Sequence, residues 1–193
     1  MSELQTADSP VAVQGTRPYA WPWDQRLTTT SFALVVVTGS SAGASGEAPE
    51  GLLADCIDFA GEIAAMGFPV VWAACSGSAP PNGAPAGHLH ADSPTANAMI
   101  GGDLDLVLRT RGIDRFALAG WPLETSVHST MRRANDLGYE CLLLEDLCQP
   151  LDPGLRDSAI SQVLMSGGIF GAVGTAADLS LALKTSTPQG APR

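Results

Sequence analysis

The sequence predicts an α/β protein with a doubly wound, mostly parallel sheet and helices on both faces. Uninterrupted apolar runs such as "FALVVV" lack the alternation of half-exposed strands, which is typical of parallel strands buried on both faces. Segments with apolar residues at helical spacing separate these runs. The connections are short, so consecutive strands can pack side by side through helical crossovers, as in a Rossmann-like three-layer fold.

Five strands and five helices follow in order along the chain. The segment 76–92 is rich in proline, glycine and serine and is predicted to be a loop. Gly39 to Gly46 lack the lysine of a phosphate-binding loop, so a flexible loop is predicted there as well. The last helix is predicted to have Thr175 as its N-cap. Strands are predicted within 32–38, 69–75, 114–120, 139–146 and 169–173, and helices within 50–67, 102–112, 124–138, 152–168 and 175–184.

The length of 193 residues suits a single domain. Residues 1–17 are polar and predict a flexible N-terminal arm, residues 18–184 the domain, and residues 185–193 a disordered tail. The segment "RPYAWPWD", residues 17–24, holds two prolines and three aromatics and predicts an extended stretch that lies on the domain or on a neighbouring subunit.

Charge and cysteine content exclude several classes of function. The net charge of −10 argues against nucleic acid and anionic membranes as partners, because both need clustered cations. The four cysteines form no CxxC pair, and Cys56 and Cys141 are predicted to be buried thiols. With no signal peptide or membrane-spanning run, a reduced, cytoplasmic protein without a cofactor is the simplest interpretation.

A turn between a predicted strand and a predicted helix is the strongest candidate for a functional site. In "GWPLETSV", residues 120–127, the strand ends at glycine and the helix opens by presenting Ser126. An α/β enzyme often holds its nucleophile at such an elbow. His128 lies only two residues further on a helix, points elsewhere and is predicted to be structural rather than a base.

The stretch from Leu104 to Asp146, together with "GGIFGAVGTAADL", resembles the isochorismatase-like cysteine hydrolases, nearest the branch of biuret and ureidoacrylate amidohydrolases. That resemblance implies an Asp–Lys–Cys triad. The matching positions here hold Thr38, Ser93 and Ser126, so all three reactive groups are replaced. Serine at a helix start stays protonated at neutral pH and needs a base, which neither Thr38 nor Ser93 supplies. A covalent amidase mechanism is therefore not expected.

The resemblance also implies the surroundings of the elbow. Relatives carry a cis peptide there, and the matching bond, Trp121–Pro122, is predicted to be cis. Trp121, Pro122, Ser93 and the two histidines of "HLHAD", His88 and His90, are predicted to bind a small organic molecule. A metal on these histidines is the weaker alternative, because no fourth ligand is evident.

Three functions stay open from the sequence. The first is a repurposed enzyme that acts on a small molecule by acid–base or proximity catalysis. The second is a catalytically inactive pseudoenzyme that serves as a binding or scaffolding subunit, in a homo-oligomer or in a hetero-oligomer with an active paralogue. The third is a hydrolase that uses Ser126 as its nucleophile, with Thr38 beside it. A filled pocket at Ser126 would favour the second, and converging polar groups the first.

Five charged positions near the elbow carry further expectations. Glu124 is predicted to make a cap-type contact at the helix start. Glu145 and Asp146, at a strand end, are predicted to be structural. Arg132 and Arg133 are predicted to lie on the outer face of their helix, where they could pair with a neighbouring subunit.

Overall fold

The computed structural model describes residues 10–39, 48–78, 85 and 87–186. Within them, six parallel strands form one sheet in the order β3-β2-β1-β4-β5-β6. The strands are β1 (Phe32–Thr38), β2 (Val70–Cys75), β3 (Leu89–Ser93), β4 (Arg115–Trp121), β5 (Glu140–Cys148) and β6 (Ala172–Gly174), and the helices are α1 (Glu50–Ala65), α2 (Leu104–Arg109), α3 (His128–Asp136), α4 (Arg156–Leu164) and α5 (Ala176–Ser186).

The sheet lies between two helical layers, which confirms the predicted three-layer fold. Every residue of β1 is buried, and successive residues such as Val35 and Val36 belong to the two different cores. Apolar residues of α2, α3 and α4 fill one core, and those of α1 and α5 fill the other. Double burial explains why this strand has no polar alternation.

Strand β3 is a correction, because it lies inside the segment predicted to be a loop. Its backbone pairs in parallel with β2, with Trp72 opposite His90. Leu89, Ala91 and Ser93 point inward while His90 and Asp92 are exposed. The sequence "LHADS" does alternate between inward-facing and exposed residues, as a strand does, but the prolines and glycines before it led to the prediction of a loop.

Several element ends also differ from prediction. A π-helical turn, Leu123–Val127, precedes α3, and β5 continues two residues further than predicted, to Cys148. Helix α5 extends to Ser186, so the predicted tail does not begin at residue 185. Thr175 caps α5 as predicted, since its Oγ1 accepts the Asp178 amide. The predictions for residues 1–9, 40–46 and 187–193 lie outside the described residues.

The N-terminal segment packs on its own domain. Val13, within the predicted flexible arm, is 1% exposed and bridges Trp21, so residues 10–17 differ from that expectation because they bury apolar surface. Arg17 pairs with Val173 along the outer side of β6. Trp21 is fully buried and meets Phe32 edge to face.

Two polar anchors fasten this segment to the amino ends of the strands. Arg115 is nearly buried and binds both carboxylate oxygens of Asp24, one of them at 3.1 Å, and Asp114 at 2.7 Å. The hydrogen bond from Arg115 holds the pKa of Asp24 below its usual value. Glu140 accepts the amide of Trp23 and the hydroxyl of Tyr19. Burial raises the pKa of the Glu140 carboxyl.

Among the described residues, none of the helices has both the length and the hydropathy that a membrane crossing requires.

Replacing Arg115 by alanine should lower the free energy of unfolding by about 2 kcal/mol, because two carboxylates lose their shared cation. The effect is smaller than for a fully buried pair, since both carboxylates are partly exposed. Urea unfolding measures the change. The control is Arg111→Ala, at an exposed arginine bonded to a carbonyl of its own helix, which should change stability by less than about 0.5 kcal/mol. Equal losses in both variants would contradict the anchoring role.

Candidate functional site

The predicted elbow lies at the switch point of the sheet. Strand order reverses between β1 and β4, whose carboxyl ends are adjacent, with Thr38 opposite Trp121. Gly39 continues the pairing by donating its amide to the Trp121 carbonyl at 2.8 Å. Open α/β sheets bind their ligands at such a point.

The close approach of β1 and β4 shapes the elbow. Gly120 has φ of +125°, and a Cβ built there would lie 1.9 Å from the Val37 carbonyl oxygen, so no other residue fits without a backbone shift. The Trp121–Pro122 bond is cis, as predicted. The π-helical turn then closes with the Val127 amide on the Pro122 carbonyl at 3.1 Å, and the Leu123 amide donates to Gln149 at 2.8 Å.

Ser126 is presented by this turn, but its hydroxyl is closed off. The residue is 1% exposed, and its Oγ has no hydrogen-bond partner among the residues that the structure describes. Gly39 lies directly against it, because a Cβ added to Gly39 would be 2.3 Å from Ser126 Oγ and 2.9 Å from Pro122 Cδ. The Ser126 hydroxyl is therefore buried beneath the backbone of Gly39.

Thr38 directly precedes Gly39, and its side chain contacts Ser78 rather than Ser126. Its Oγ1 lies 3.4 Å from the Oγ of Ser78. Ser78 in turn donates to the Thr38 carbonyl at 2.6 Å and accepts the Cys75 amide at 3.1 Å. The Thr38 hydroxyl is thus part of a link between the ends of β1 and β2. Ser78 was not singled out in the sequence, because it lies inside the predicted loop.

Ser93 is buried at the end of β3 and organises the loop that follows. Its Oγ lies 2.8 Å from the carbonyl oxygens of both Asn97 and Ile100. Asn97 donates to the Ser129 carbonyl, and Thr130 accepts the Ala98 amide, so the same loop is held on α3. The Ser93 hydroxyl therefore bonds to backbone carbonyls of the loop that follows β3.

His88 and His90 are not brought together with Ser126, contrary to the predicted pocket. They lie at the amino end of the edge strand β3, where His88 Nδ1 accepts the Trp72 indole N–H at 3.0 Å and His90 is exposed. Burial, and then the nearby His90, lower the pKa of His88. The elbow lies at the carboxyl ends of the strands, which is the opposite end of the sheet from these histidines. The described residues contain no group of three His, Cys, Asp or Glu side chains placed to hold a metal ion.

The charged neighbours of the elbow are structural. The Glu124 carboxylate accepts the amides of Leu151 and Asp152 at 2.9 and 3.1 Å, in the turn after β5. The prediction of a cap-type contact at the helix start was therefore wrong, since no side chain caps that helix start. Asp146 accepts the Ala176 amide at the start of α5, and Glu145 pairs with Arg17, as expected of structural residues.

His128 and the arginines of α3 make contacts within the chain. His128 Nδ1 accepts from Arg132, and its Nε2 lies 3.3 Å from the Ala159 carbonyl. Arg132 also bonds to Gln162, and Arg133 lies 3.7 Å from Asp136. Pairing of the two arginines with a neighbouring subunit stays a prediction.

The fold and the elbow define an α/β protein built like the hydrolases that carry a nucleophile at the switch point. Residues 79–178, just over half of the chain, match the isochorismatase domain, and the chain belongs to that family. The uncharacterized isochorismatase family protein YecD of Escherichia coli O157:H7 is 36% identical over 66 residues, which are 34% of this chain and 35% of that protein. The matched stretch thus spans about a third of this relative's length.

Solved structures confirm the fold over most of the chain. An isochorismatase family protein from Burkholderia thailandensis superposes with a TM-score of 0.66 at 24% identity, covering 82% of this chain and 97% of the other. A cysteine hydrolase from Pseudomonas syringae pv. phaseolicola gives a TM-score of 0.69 at 14% identity and covers 93% of this chain and 100% of its own. At these identities the likeness concerns the fold.

The contact between Gly39 and Ser126 can be tested by a double-mutant cycle. Gly39→Ala should cost about 1–3 kcal/mol of unfolding free energy, because its Cβ has no room beside the hydroxyl. In a Ser126→Gly background the cost should fall by at least about 0.5 kcal/mol. Gly61→Ala, at a helical glycine with nothing within 4 Å, is the control and should not destabilise. Strict additivity in urea unfolding would show that the two residues do not touch.

His128 should make stability dependent on pH. Burial, and then the charge of Arg132, lower its pKa in the folded protein. Below pH of about 6.5 the unfolded chain therefore binds a proton that the folded protein does not, and stability falls. The wild type should lose up to about 1.4 kcal/mol more per pH unit than His128→Gln in this range, as measured by urea unfolding. Parallel profiles would contradict this origin.

Proposed function

We propose that this chain is a non-hydrolytic member of the isochorismatase family that serves as a binding or assembly subunit. The observation that carries the proposal is the burial of Ser126 Oγ beneath Gly39. A hydrolase needs its nucleophile in contact with the substrate's carbonyl carbon. Here that place is taken by the backbone at the end of β1.

The chemistry of the surrounding groups supports the proposal. No described residue lies within hydrogen-bond distance of Ser126 Oγ, so nothing among them could remove its proton. Thr38 and Ser93 use their hydroxyls in local hydrogen bonds. None of the four cysteines replaces the lost thiol either: all four are buried, and burial raises the pKa of Cys56 and of Cys75 to about 12. A thiol in that state is not a nucleophile at neutral pH.

A second candidate, a repurposed enzyme acting on a small organic molecule, is favoured by one specific observation. A buried hydroxyl without a partner costs about 1–3 kcal/mol, and alanine would avoid the cost. Ser126 is such a hydroxyl. In this second function a bound ligand supplies the missing hydrogen bond, which requires Gly39 to move away from the elbow.

The same proposal includes the branch of the family, the assembly and the cellular compartment of this chain. The motif "GWPLETSV" and the preceding "RPYAWPWD" support a position near the biuret and ureidoacrylate amidohydrolases. A subunit without its own triad fits a homo-oligomer, or a hetero-oligomer in which an active paralogue supplies the catalytic groups. We place it in the cytoplasm, where its four free cysteines stay reduced.

The accessibility of the elbow provides the test. In the native protein all four cysteines are buried, so a thiol reagent such as DTNB has no fast target. Ser126→Cys adds a thiol at the family's nucleophile position. We expect the native variant to react no faster than the wild type, and the unfolded variant to show one thiol more. Leu106→Cys, at an exposed position of α2, is the positive control and should react at once.

Two results would overturn the proposal. One is rapid labelling of native Ser126→Cys with an unchanged melting temperature, which would mean that the elbow is open. The other is release of ammonia from small amides or ureides by the wild type and not by Ser126→Ala. That second result would establish a serine hydrolase.

A further inference from the structure

A cavity of about 320 Å³ lies beyond the carboxyl end of β5, beside the elbow but separate from it. Ser126 is not one of the residues that line it. The volume is at the lower end of the range for small-molecule sites, so the cavity suits a small ligand. The lining residues supply a cation, an anion, an amide and two proline rings, and they are Asp146, Gln149, Pro150, Pro153 and Arg156.

The Arg156 guanidinium is fixed in place without being neutralised. It donates to the carbonyl oxygens of Cys148, at 2.7 Å, and of Glu145. Neither acceptor carries a full charge, and Arg156 forms no ion pair with another residue that the structure describes. These bonds use only part of its N–H donors. A planar guanidinium held by backbone in this way is prepared to bind a carboxylate through parallel hydrogen bonds.

Asp146 provides the opposite charge in the same cavity. Its carboxylate accepts the Ala176 amide at 3.0 Å, which fixes its orientation, and the side chain stays exposed. Although Asp146 and Arg156 line one cavity, no ion pair joins these two described residues. A molecule that carries both charges can therefore complement both side chains at once.

The walls beside these charges are already ordered. The Gln149 carbonyl accepts the Leu123 amide at 2.8 Å, while the Gln149 side chain makes no hydrogen bond to another described residue. The Glu124 carboxylate holds the backbone of the turn that follows. Pro150 and Pro153 have a fixed backbone φ and a closed ring, so they lose little entropy when a ligand packs on them.

We propose that this cavity binds a free α-amino acid, with the ligand carboxylate on Arg156 and its ammonium group on Asp146. The proposal rests on the binding role proposed above and deepens it, since it names a ligand class and a site. Asp146 disfavours phosphates and dicarboxylates, because they bring a further negative charge towards its carboxylate. The net charge of −10 disfavours them as well, whereas a zwitterion is neutral as a whole. The Gln149 amide can donate to the ligand carboxylate.

An NMR chemical-shift titration of the full chain with L-alanine and with L-leucine tests the proposal. We expect dissociation constants of about 1 mM, with the shifts concentrated at the residues that line the cavity. Two analogues of L-leucine separate its charges, since isocaproate lacks the ammonium group and isoamylamine lacks the carboxylate. Each analogue should bind at least about 10-fold more weakly than L-leucine.

Asp146→Asn gives the sharpest comparison, because asparagine removes the charge and keeps an oxygen for the Ala176 amide. It should weaken binding of L-leucine at least about 10-fold and strengthen binding of isocaproate, so that the preference between the two ligands reverses. A merely structural role of Asp146 would change both affinities in the same direction.

Arg156→Lys keeps the positive charge but loses the planar fork, and it should weaken binding of L-leucine at least about 10-fold. The matched control is Arg111→Lys, at an exposed arginine of another helix end, which should leave binding unchanged.

The proposal is overturned if neither amino acid shifts a resonance, if isocaproate or inorganic phosphate binds the wild type as tightly as L-leucine does, or if Asp146→Asn leaves the preference unchanged. Equal weakening in Arg111→Lys and Arg156→Lys would also overturn it. None of these results depends on thiol labelling of Ser126→Cys, so the amino acid site and the closed elbow can fail separately.

Discussion

The close approach of the backbone at the ends of β1 and β4 is the constraint on which the rest of the site depends. Gly120 permits it on one side, where even a Cβ would collide with Val37. Gly39 permits it on the other, where it lies against Ser126. Because neither glycine carries a side chain, the pairing of β1 with β4 continues one residue beyond Thr38, and the backbone there covers the Ser126 hydroxyl.

The sequence predicts that Thr38, Ser93 and Ser126 stand where relatives carry a carboxylate, an ammonium group and a thiol, and these three hydroxyls have different surroundings in this chain. A buried ion needs a partner or water, and it keeps a pocket polar and hydrated. A hydroxyl can be satisfied by nearby carbonyls, which is what happens to Ser93 at the end of β3. Thr38 contacts Ser78, and Ser126 has no described partner. Under the proposed replacement, uncharged hydroxyls at these positions give no physical reason for an open, hydrated pocket.

Much of the fold could be predicted because double burial leaves an unambiguous mark. Strands such as β1 and β4 are buried at every position and have polar side chains only at their ends, which no amphipathic helix or half-exposed strand shares. The edge strand β3 was missed, although it alternates, because it is short and follows a run of prolines and glycines. At the site, the cis Trp121–Pro122 bond was predicted correctly. The burial of Ser126 under Gly39 was not predicted, because the two residues are distant in sequence and meet only through the pairing of β1 with β4.

The aromatic residues of the N-terminal segment are evident from the sequence, but only the tertiary contacts show which of them are buried. They divide into two sets with opposite environments, since Trp21 is fully buried while Trp23, two residues later, is mostly exposed. Glu140 fixes this division, because it binds the Trp23 amide and the Tyr19 hydroxyl and so turns that indole outward. Glu140 thereby fastens the segment to the domain while the Trp23 indole stays 64% exposed. The Ser126 hydroxyl is enclosed within the elbow, whereas the stacked rings of Tyr19 and Trp23 lie towards the surface, which is the arrangement that the proposed binding or assembly role requires.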